Sequence, residues 1–278
     1  MNETASKRHA TENRIAVESF GVTVQIHCPR RDILEEVERR IGNIIPDGFY
    51  RKIPARTAVH KFSIRQSRSF PYVLFKGKTK ITHGDDRENF LKYLDWQIRV
   101  TIAEYAVGRV FLHAGVVGWK GKAIIIPGKS FQGKTTLVKE LTKLGAEYYS
   151  DEYAVLDEEG FVHPFPKALS VRKVTGDFRQ TDYPVEYFGG VKGFDPLPVG
   201  LVLITEYEKG ARWKPSIMSD GAGVMEMLSH TIPIRYNPKF SLKVLNKAAN
   251  HAIIVKTKRG DAGKFALKLL RFLENKAH

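Results

Sequence analysis

The sequence predicts a two-part α/β protein, with a small α+β unit over residues 1–108 followed by an α/β domain over residues 109–278. Three observations predict it. From residue 109 onward, short apolar strands alternate with helical patterns, the order that builds a sheet flanked by helices. A glycine-containing loop at 128–135 joins an apolar strand to an amphipathic helix. The 278 residues are 42% hydrophobic and 27% charged, which supplies a packed core and excludes a disordered chain.

The first part opens on a polar tail, residues 1–14, without the apolar run of a signal peptide, so a cytoplasmic protein is expected. Residues 15–28 read as strand, split at Gly21 and ended by Pro29. Residues 32–41 set Ile33, Leu34, Val37 and Ile41 at helical spacing, with Asp32 as the expected N-cap. Strands are expected at 59–65, 72–76 and 79–82, the last two joined by a turn at Lys76-Gly77-Lys78. Residues 85–107 repeat Phe90, Leu91, Leu94, Ile98, Ile102 and Tyr105 on one helical face, between an acidic start and Gly108.

The second part begins with a strand at 110–119, a hairpin-like turn at 119–122, a strand at 123–127 and a helix at 134–144. Short strands follow at 147–150, 153–156 and 160–163. Residues 176–198 hold Pro184, Gly189, Gly190, Gly193, Pro196 and Pro198 without periodicity and read as a long loop. A strand at 199–205, helices at 221–229 and 241–250, a strand at 252–256 and a helix at 262–273 complete the chain. Apolar runs such as 123–126 and 201–204 are far shorter than the ~20 residues of a membrane span, so none is expected. A single cysteine, Cys28, leaves no intrachain disulfide and no cysteine-clustered zinc site.

The net charge of +15 is concentrated. Residues 51–80 carry nine Lys/Arg and no acid, and residues 235–278 carry eleven Lys/Arg against Asp261 and Glu274. Fields of this kind attract acidic partners: phosphorylated molecules, nucleic acid, an acidic peptide or protein, or an anionic membrane surface. Within 51–80 the cations interleave with Phe62, Phe70, Tyr72 and Phe75, which suits RNA or DNA, an acidic peptide, or simply a sheet with a solvated basic face.

Residues Gly128-Lys129-Ser130-Phe131-Gln132-Gly133-Lys134-Thr135 satisfy the phosphate-loop pattern G-x-x-x-x-G-K-[ST] at every fixed position. The context is the required one, with the apolar run 123–126 before it and the helical pattern from Lys134 after it. Glycines let backbone N–H groups curl around phosphate oxygens at a helix N-terminus, where the dipole adds positive potential. Lys134 is expected to reach the β- and γ-phosphates of ATP, the Thr135 hydroxyl to ligate Mg²⁺, and Thr136 to continue the loop's contacts. Seventeen residues past Lys134 stand Asp151 and Glu152. At the end of a strand beside the phosphates in a parallel sheet, one carboxylate would take the proton of an attacking hydroxyl and the other would help hold Mg²⁺. His113 lies in the apolar strand before the loop hairpin, where a histidine is usually a hydrogen-bonded core residue.

The run LHAGVV…AIIIPGKSFQGKTTLVKELTKLGAEYYSDEYAVL, within residues 112–156, resembles the catalytic domain of bacterial HPr kinase/phosphorylase and of HPr-kinase-related kinases. That fold is similar to the nucleotide domain of phosphoenolpyruvate carboxykinase. His113-Ala114 matches the family's His-Gly or His-Ala pair, Gly145 its glycine closing the loop helix, and Asp151-Glu152 its Asp-Asp pair. The resemblance implies a P-loop kinase domain of this type over about 110–275, with Asp151 as general base and His113 lining the active site. It also makes a homo-oligomer plausible. Two departures set the chain apart from enzymes that act on HPr. Thr136 stands where those enzymes carry an acidic residue, and their Glu-Val-Arg-Gly-Leu-Gly stretch has no copy here. Residues Pro166-Lys167-Ala168-Leu169-Ser170-Val171-Arg172 look instead like a Pro-Arg-x-Leu-Ser-x-Lys stretch of the related kinases.

The expected activity is therefore ATP- and Mg²⁺-dependent phosphoryl transfer to a hydroxyl of a peptide, protein or small molecule. The N-terminal unit and the basic segments would select that acceptor. The alternatives are a nucleotide-binding regulatory module without transfer and an RNA-directed kinase using the basic segments 51–80 and 235–278. One of Arg172, Lys173 and Arg179 is a candidate for stabilising the transferring phosphoryl group, and Glu206 for positioning water or metal. Arg259-Gly260-Asp261 reads as a turn and helix cap without a binding role, and the remaining histidines, His230 among them, lack ligand spacing.

Overall fold

The computed structural model of the chain describes residues 13–128, 132–172 and 180–276, the side chains of Arg172 and Gln180 excepted. The chain divides into two compact units between Val107 and Gly108. Among the described residues there are six α-helices, and none is long and apolar enough to cross a membrane.

The first unit is a six-stranded sheet carrying two helices. Strands β1 (Arg14–Ser19) and β2 (Val22–His27) form a hairpin whose turn, Phe20-Gly21, takes positive φ at both residues, the twist that tight hairpins require. Helix α1 (Arg31–Ile44) then crosses over, and β3 (Arg51–Lys52), β4 (His60–Arg65), β5 (Tyr72–Lys76), β6 (Thr79–Gly84) and helix α2 (Arg87–Tyr105) follow. The sheet order is β3-β1-β2-β4-β5-β6, with only β2 and β4 parallel. The sequence places the N-cap of α1 at Asp32, and the structure corrects this. Arg30 is the cap residue and its side chain makes no capping bond to the helix backbone, and Asp32 sits in the first turn bonded to the side chains of Arg30 and Arg87. In α2 the cap is Asp86, whose carboxylate accepts from the Asn89 N–H at 2.7 Å. Ile33, Leu34, Val37 and Ile41 of α1 and Leu91, Leu94 and Ile98 of α2 are buried as their spacing predicts.

The second unit is three layers. Its sheet contains β7 (Val110–Trp119), β8 (Lys122–Pro127), β9 (Glu147–Ser150), β10 (Tyr153–Leu156), β11 (Val162–His163), β14 (Val199–Tyr207), β15 (Ser216–Ile217) and β16 (Ile253–Arg259). The order is β11-β10-β7-β8-β14-β16-β15, with β9 also on β7. Only β8, β14 and β16 run parallel to one another. Helices α3 (Lys134–Lys143) and α6 (Ala262–Lys276) cover one face, and α4 (Asp220–Leu228) and α5 (Pro238–Ala249) the other. The strands show why both faces are filled. In β8, Ala123 and Ile125 enter the core under α4 and α5, while Ile124 and Ile126 enter the core under α3 and α6. Fully buried Leu137, Val138 and Leu141 pin α3 to the sheet, each worth roughly 2 kcal/mol of apolar burial.

The long loop expected at 176–198 is a second correction. Within its described part, β13 (Gln180–Tyr183) pairs with β12 (Leu169–Arg172), and a 3₁₀ turn at Val185–Phe188 follows. The strand was hidden because QTDY has no apolar alternation and stands in a two-stranded ribbon outside the core sheet.

Candidate active site

The loop starts where β8 ends, on the side of the sheet where β8, β14 and β16 point their carboxyl ends, the usual ligand side of α/β sheets. The Gly128 N–H donates to the His113 carbonyl at 3.2 Å, tying the loop's first residue to β7. Gly133 is the residue before α3 and takes φ +72°, a left-handed conformation that glycine adopts at no steric cost. A side chain on it would also lie 2.7 Å from the guanidinium of Arg259, and one on Gly128 would lie 2.6 Å from the Gln132 side-chain oxygen. A side chain at either position would displace one of these flexible ends, and at Gly133 the left-handed backbone favours glycine in any case. Lys134 opens the helix and is only 7% exposed, with Nζ donating to the Gly128 carbonyl at 2.8 Å. Burial lowers its pKa to about 8, against the upward pull of Asp151 and Glu152. Its charge is therefore largely retained at neutral pH.

The acidic pair reaches the loop by a route other than the expected end of a parallel strand. β10 pairs antiparallel with residues 110–113 of β7 and β9 pairs antiparallel with residues 116–118, both on one edge. Between them the chain jogs outward at Asp151-Glu152. The Glu152 carbonyl accepts from the Ala114 N–H at 3.1 Å. Ser150 Oγ accepts from the Glu152 and Tyr153 N–H groups at 3.1 and 3.0 Å, replacing ladder bonds that the jog gives up.

Asp151 is 9% exposed. Its Oδ2 accepts from Thr135 Oγ1 at 3.1 Å, and its Oδ1 lies 3.4 Å from the Tyr148 hydroxyl, which also donates to the Lys167 carbonyl at 2.5 Å. Burial first, and Glu152 second, raise the Asp151 pKa to about 6, while Lys167, the Thr135 hydroxyl and the Ser170 amide oppose them. Glu152 pairs with Lys167 at 3.3 Å. The His113 ring lies 6.2 Å from that of Tyr153, and its pKa falls to about 4 through burial, Lys134 and His230, with Glu152 opposing. His113 is a neutral wall of this site at physiological pH.

So Gly128, Gln132, Gly133, Lys134, Thr135, Asp151, Glu152 and His113 come together. Thr136 is exposed on α3. Lys129, Ser130 and Phe131 lie outside the described residues, as do Lys173, Arg179 and the side chain of Arg172. Glu206 is exposed, beside Lys256 and Lys258. Four residues were missed by sequence reasoning: Tyr148, Lys167, His230 and Arg259. His230 arrives because its carbonyl accepts from the His113 N–H at 2.9 Å. Arg259 ends β16, 3% exposed, and donates to the Gln132 carbonyl within the loop. The turn and cap assignment at 259–261 holds for Asp261, whose carboxylate accepts from the Lys264 N–H at 2.9 Å, but not for Arg259. One signal was available: Arg259 shares the inward parity of Val255 and Thr257, where a cation is out of place.

No protein-family profile matches the chain, and no curated protein matches it in sequence. Among solved structures it is similar to the HPr(Ser) kinase/phosphatase from Coxiella burnetii, at 15% identity and a TM-score of 0.29, over 60% of this chain and 95% of that one.

Proposed function

We propose that the chain is an ATP- and Mg²⁺-dependent kinase that transfers the γ-phosphate to a hydroxyl of a peptide, protein or small molecule. One observation carries this reading. A buried carboxylate, Asp151, ionises near neutrality 3.1 Å from the hydroxyl that follows the loop lysine. A purely structural acid pair in a turn would be solvated and would ionise at its ordinary pH.

The residues fit the nucleotide and the metal. Gly128 and Gly133 leave a cradle that a Cβ would fill, and Lys134 Nζ already folds over the loop carbonyl of Gly128. Thr135 and Glu152 offer only oxygen donors, the set Mg²⁺ takes when substrate phosphates complete its shell, which leaves Asp151 free of the metal. Bound there, Mg²⁺ would neutralise charge on the phosphate oxygens.

The residues divide the work by environment. Lys134 holds the β- and γ-phosphates as a point charge. The Thr135 hydroxyl donates to one Asp151 oxygen and so orients the carboxylate, while the Tyr148 hydroxyl spends its proton on the Lys167 carbonyl. Asp151 accepts the proton of the acceptor hydroxyl as its oxygen bonds to the γ-phosphorus, the bond to the β,γ-bridging oxygen breaks, and ADP leaves. A base ionising near pH 6 is deprotonated at pH 7 yet basic enough to assist. Glu152, paired with Lys167 at 3.3 Å, stands beside Asp151 and adds to the rise of its pKa. His113 supplies shape and excludes water.

The test is transfer of label from γ-labelled ATP with Mg²⁺ into dephosphorylated cell extract, for wild type and Asp151→Asn. Label in a discrete acceptor with wild type alone is the expected result. Nucleotide binding by wild type without transfer to any acceptor overturns the kinase reading and leaves a regulatory nucleotide module.

A further inference from the structure

Among the described residues, Arg259 is a buried cation that faces no carboxylate. Its side chain bonds the Gln132 carbonyl and stacks toward the Tyr207 ring at 5.9 Å, and its Nε, buried, has no hydrogen-bond partner among the described residues. Enclosing a guanidinium in this way is costly unless an anion completes its surroundings. Nearby, Thr205 Oγ1 on β14 is likewise buried with no partner, and Thr205 is in register with Thr257, two residues before Arg259. Both orphaned groups stand at the carboxyl ends of adjacent parallel strands, the side from which the phosphate loop leaves β8. Arg259 also packs so closely on Gly133 that any side chain there would strike it.

We infer that Arg259 is a phosphate-contacting residue, whose guanidinium turns from the Gln132 carbonyl onto the β,γ end of a bound nucleoside triphosphate. The inference rests on the nucleotide-binding reading given above. It adds a ligand contact from a strand 125 residues beyond the loop and a preference for triphosphate over monophosphate. The exchange is favourable because a neutral carbonyl is replaced by an anion, and charge-assisted bonds to phosphate are about twice as strong as neutral ones. A planar fork also reads a phosphate by two N–H groups, which lysine cannot do.

The experiment is calorimetric titration of wild type, Arg259→Lys and Arg259→Met with ATP, ADP, AMP and inorganic tripolyphosphate, each protein checked for native circular dichroism. Expected is a loss of about 10-fold or more in ATP and tripolyphosphate affinity for Arg259→Met, a smaller loss for ADP, and AMP within about two-fold. Arg259→Lys is expected to fall between, and it carries the test alone if Arg259→Met does not fold. Equal losses for all four ligands would mean that Arg259 only braces the loop and would overturn the inference, as would unchanged ATP affinity. Failure of wild type to bind any of the four overturns the nucleotide reading itself, a result visible before any variant is made.

Discussion

Buried charges in the two units are satisfied in opposite ways. In the first unit Arg40 of α1 forks onto Asp95 of α2 through Nε at 2.9 Å and Nη2 at 2.7 Å, and its Nη1 reaches Glu88 at 3.1 Å. Cation and anions answer each other, and the result is a brace between helices. In the second unit the direct bond of Asp151 is to the Thr135 hydroxyl, with the charges of Lys134 and Lys167 near it but not bonded to it, and Arg259 donates to a backbone carbonyl. Charges whose bonds go to neutral groups keep their appetite for a charged third party. The contrast separates charges that hold a fold from charges that wait for a ligand, with no reference to motif.

The sharpest way to test that contrast is to remove the waiting charge. The folded-state pKa of Asp151 lies near 6, above its ordinary 3.8, so folding disfavours the ionised carboxylate. Stability is fully present below about pH 4 and is lost as pH rises through about 6. Asp151→Asn should therefore gain up to about 3 kcal/mol at pH 8 and nothing at pH 4, read by urea melts at both, while turnover falls about 10²- to 10⁴-fold. A loss of stability at pH 8 would put Asp151 in the bracing class.

Arg40→Met probes the other side. It leaves Asp95 buried with only the charge of Arg99 near it and no bonded cation, and should cost about 3 kcal/mol, most of it recovered when Asp95→Leu is added, as thermal melts of the single and double variants would show. A free energy unchanged in the single variant would break the comparison from this end. The smallest effect is in the pH profile. With Asp151 raised to about 6 and Lys134 lowered to about 8, kcat/KM should rise through the first value and fall beyond the second. Activity one pH unit below 6 should be about ten-fold down, and a flat acid limb would remove Asp151 from the role of base.

How much of this was legible follows from distance along the chain. The loop glycines, Lys134 and Thr135 were readable because a phosphate cradle is built from consecutive residues. Asp151 was readable by spacing, yet its setting was not. The jog exists only because β9 and β10 share one edge of β7, a fact of pairing between residues 29 to 46 positions apart. Lys167 and Arg259 were unreadable as site residues for the same reason, the second arriving through the register of β16 on β14. Inward parity marks Arg259 as anomalous but says nothing of what it faces. In the first unit the helices and the longer strands were legible from apolar spacing, but β3, two exposed cations, was not, and the Arg40–Asp95 brace depends on the approach of two helices that spacing does not encode.

The jog at Asp151-Glu152 has a mechanical consequence. The carboxylates are mounted at mid-span of a sheet edge, fastened by Ala114 on one side and by Ser150 on the other, with no hinge of their own. Under the proposed kinase reading, a base carried on backbone fastened in this way would not travel to meet its partner. The acceptor would bring its hydroxyl to a stationary point, so choice among acceptors would become a matter of reach, and discrimination would fall to whatever sets the length and stiffness of the incoming molecule.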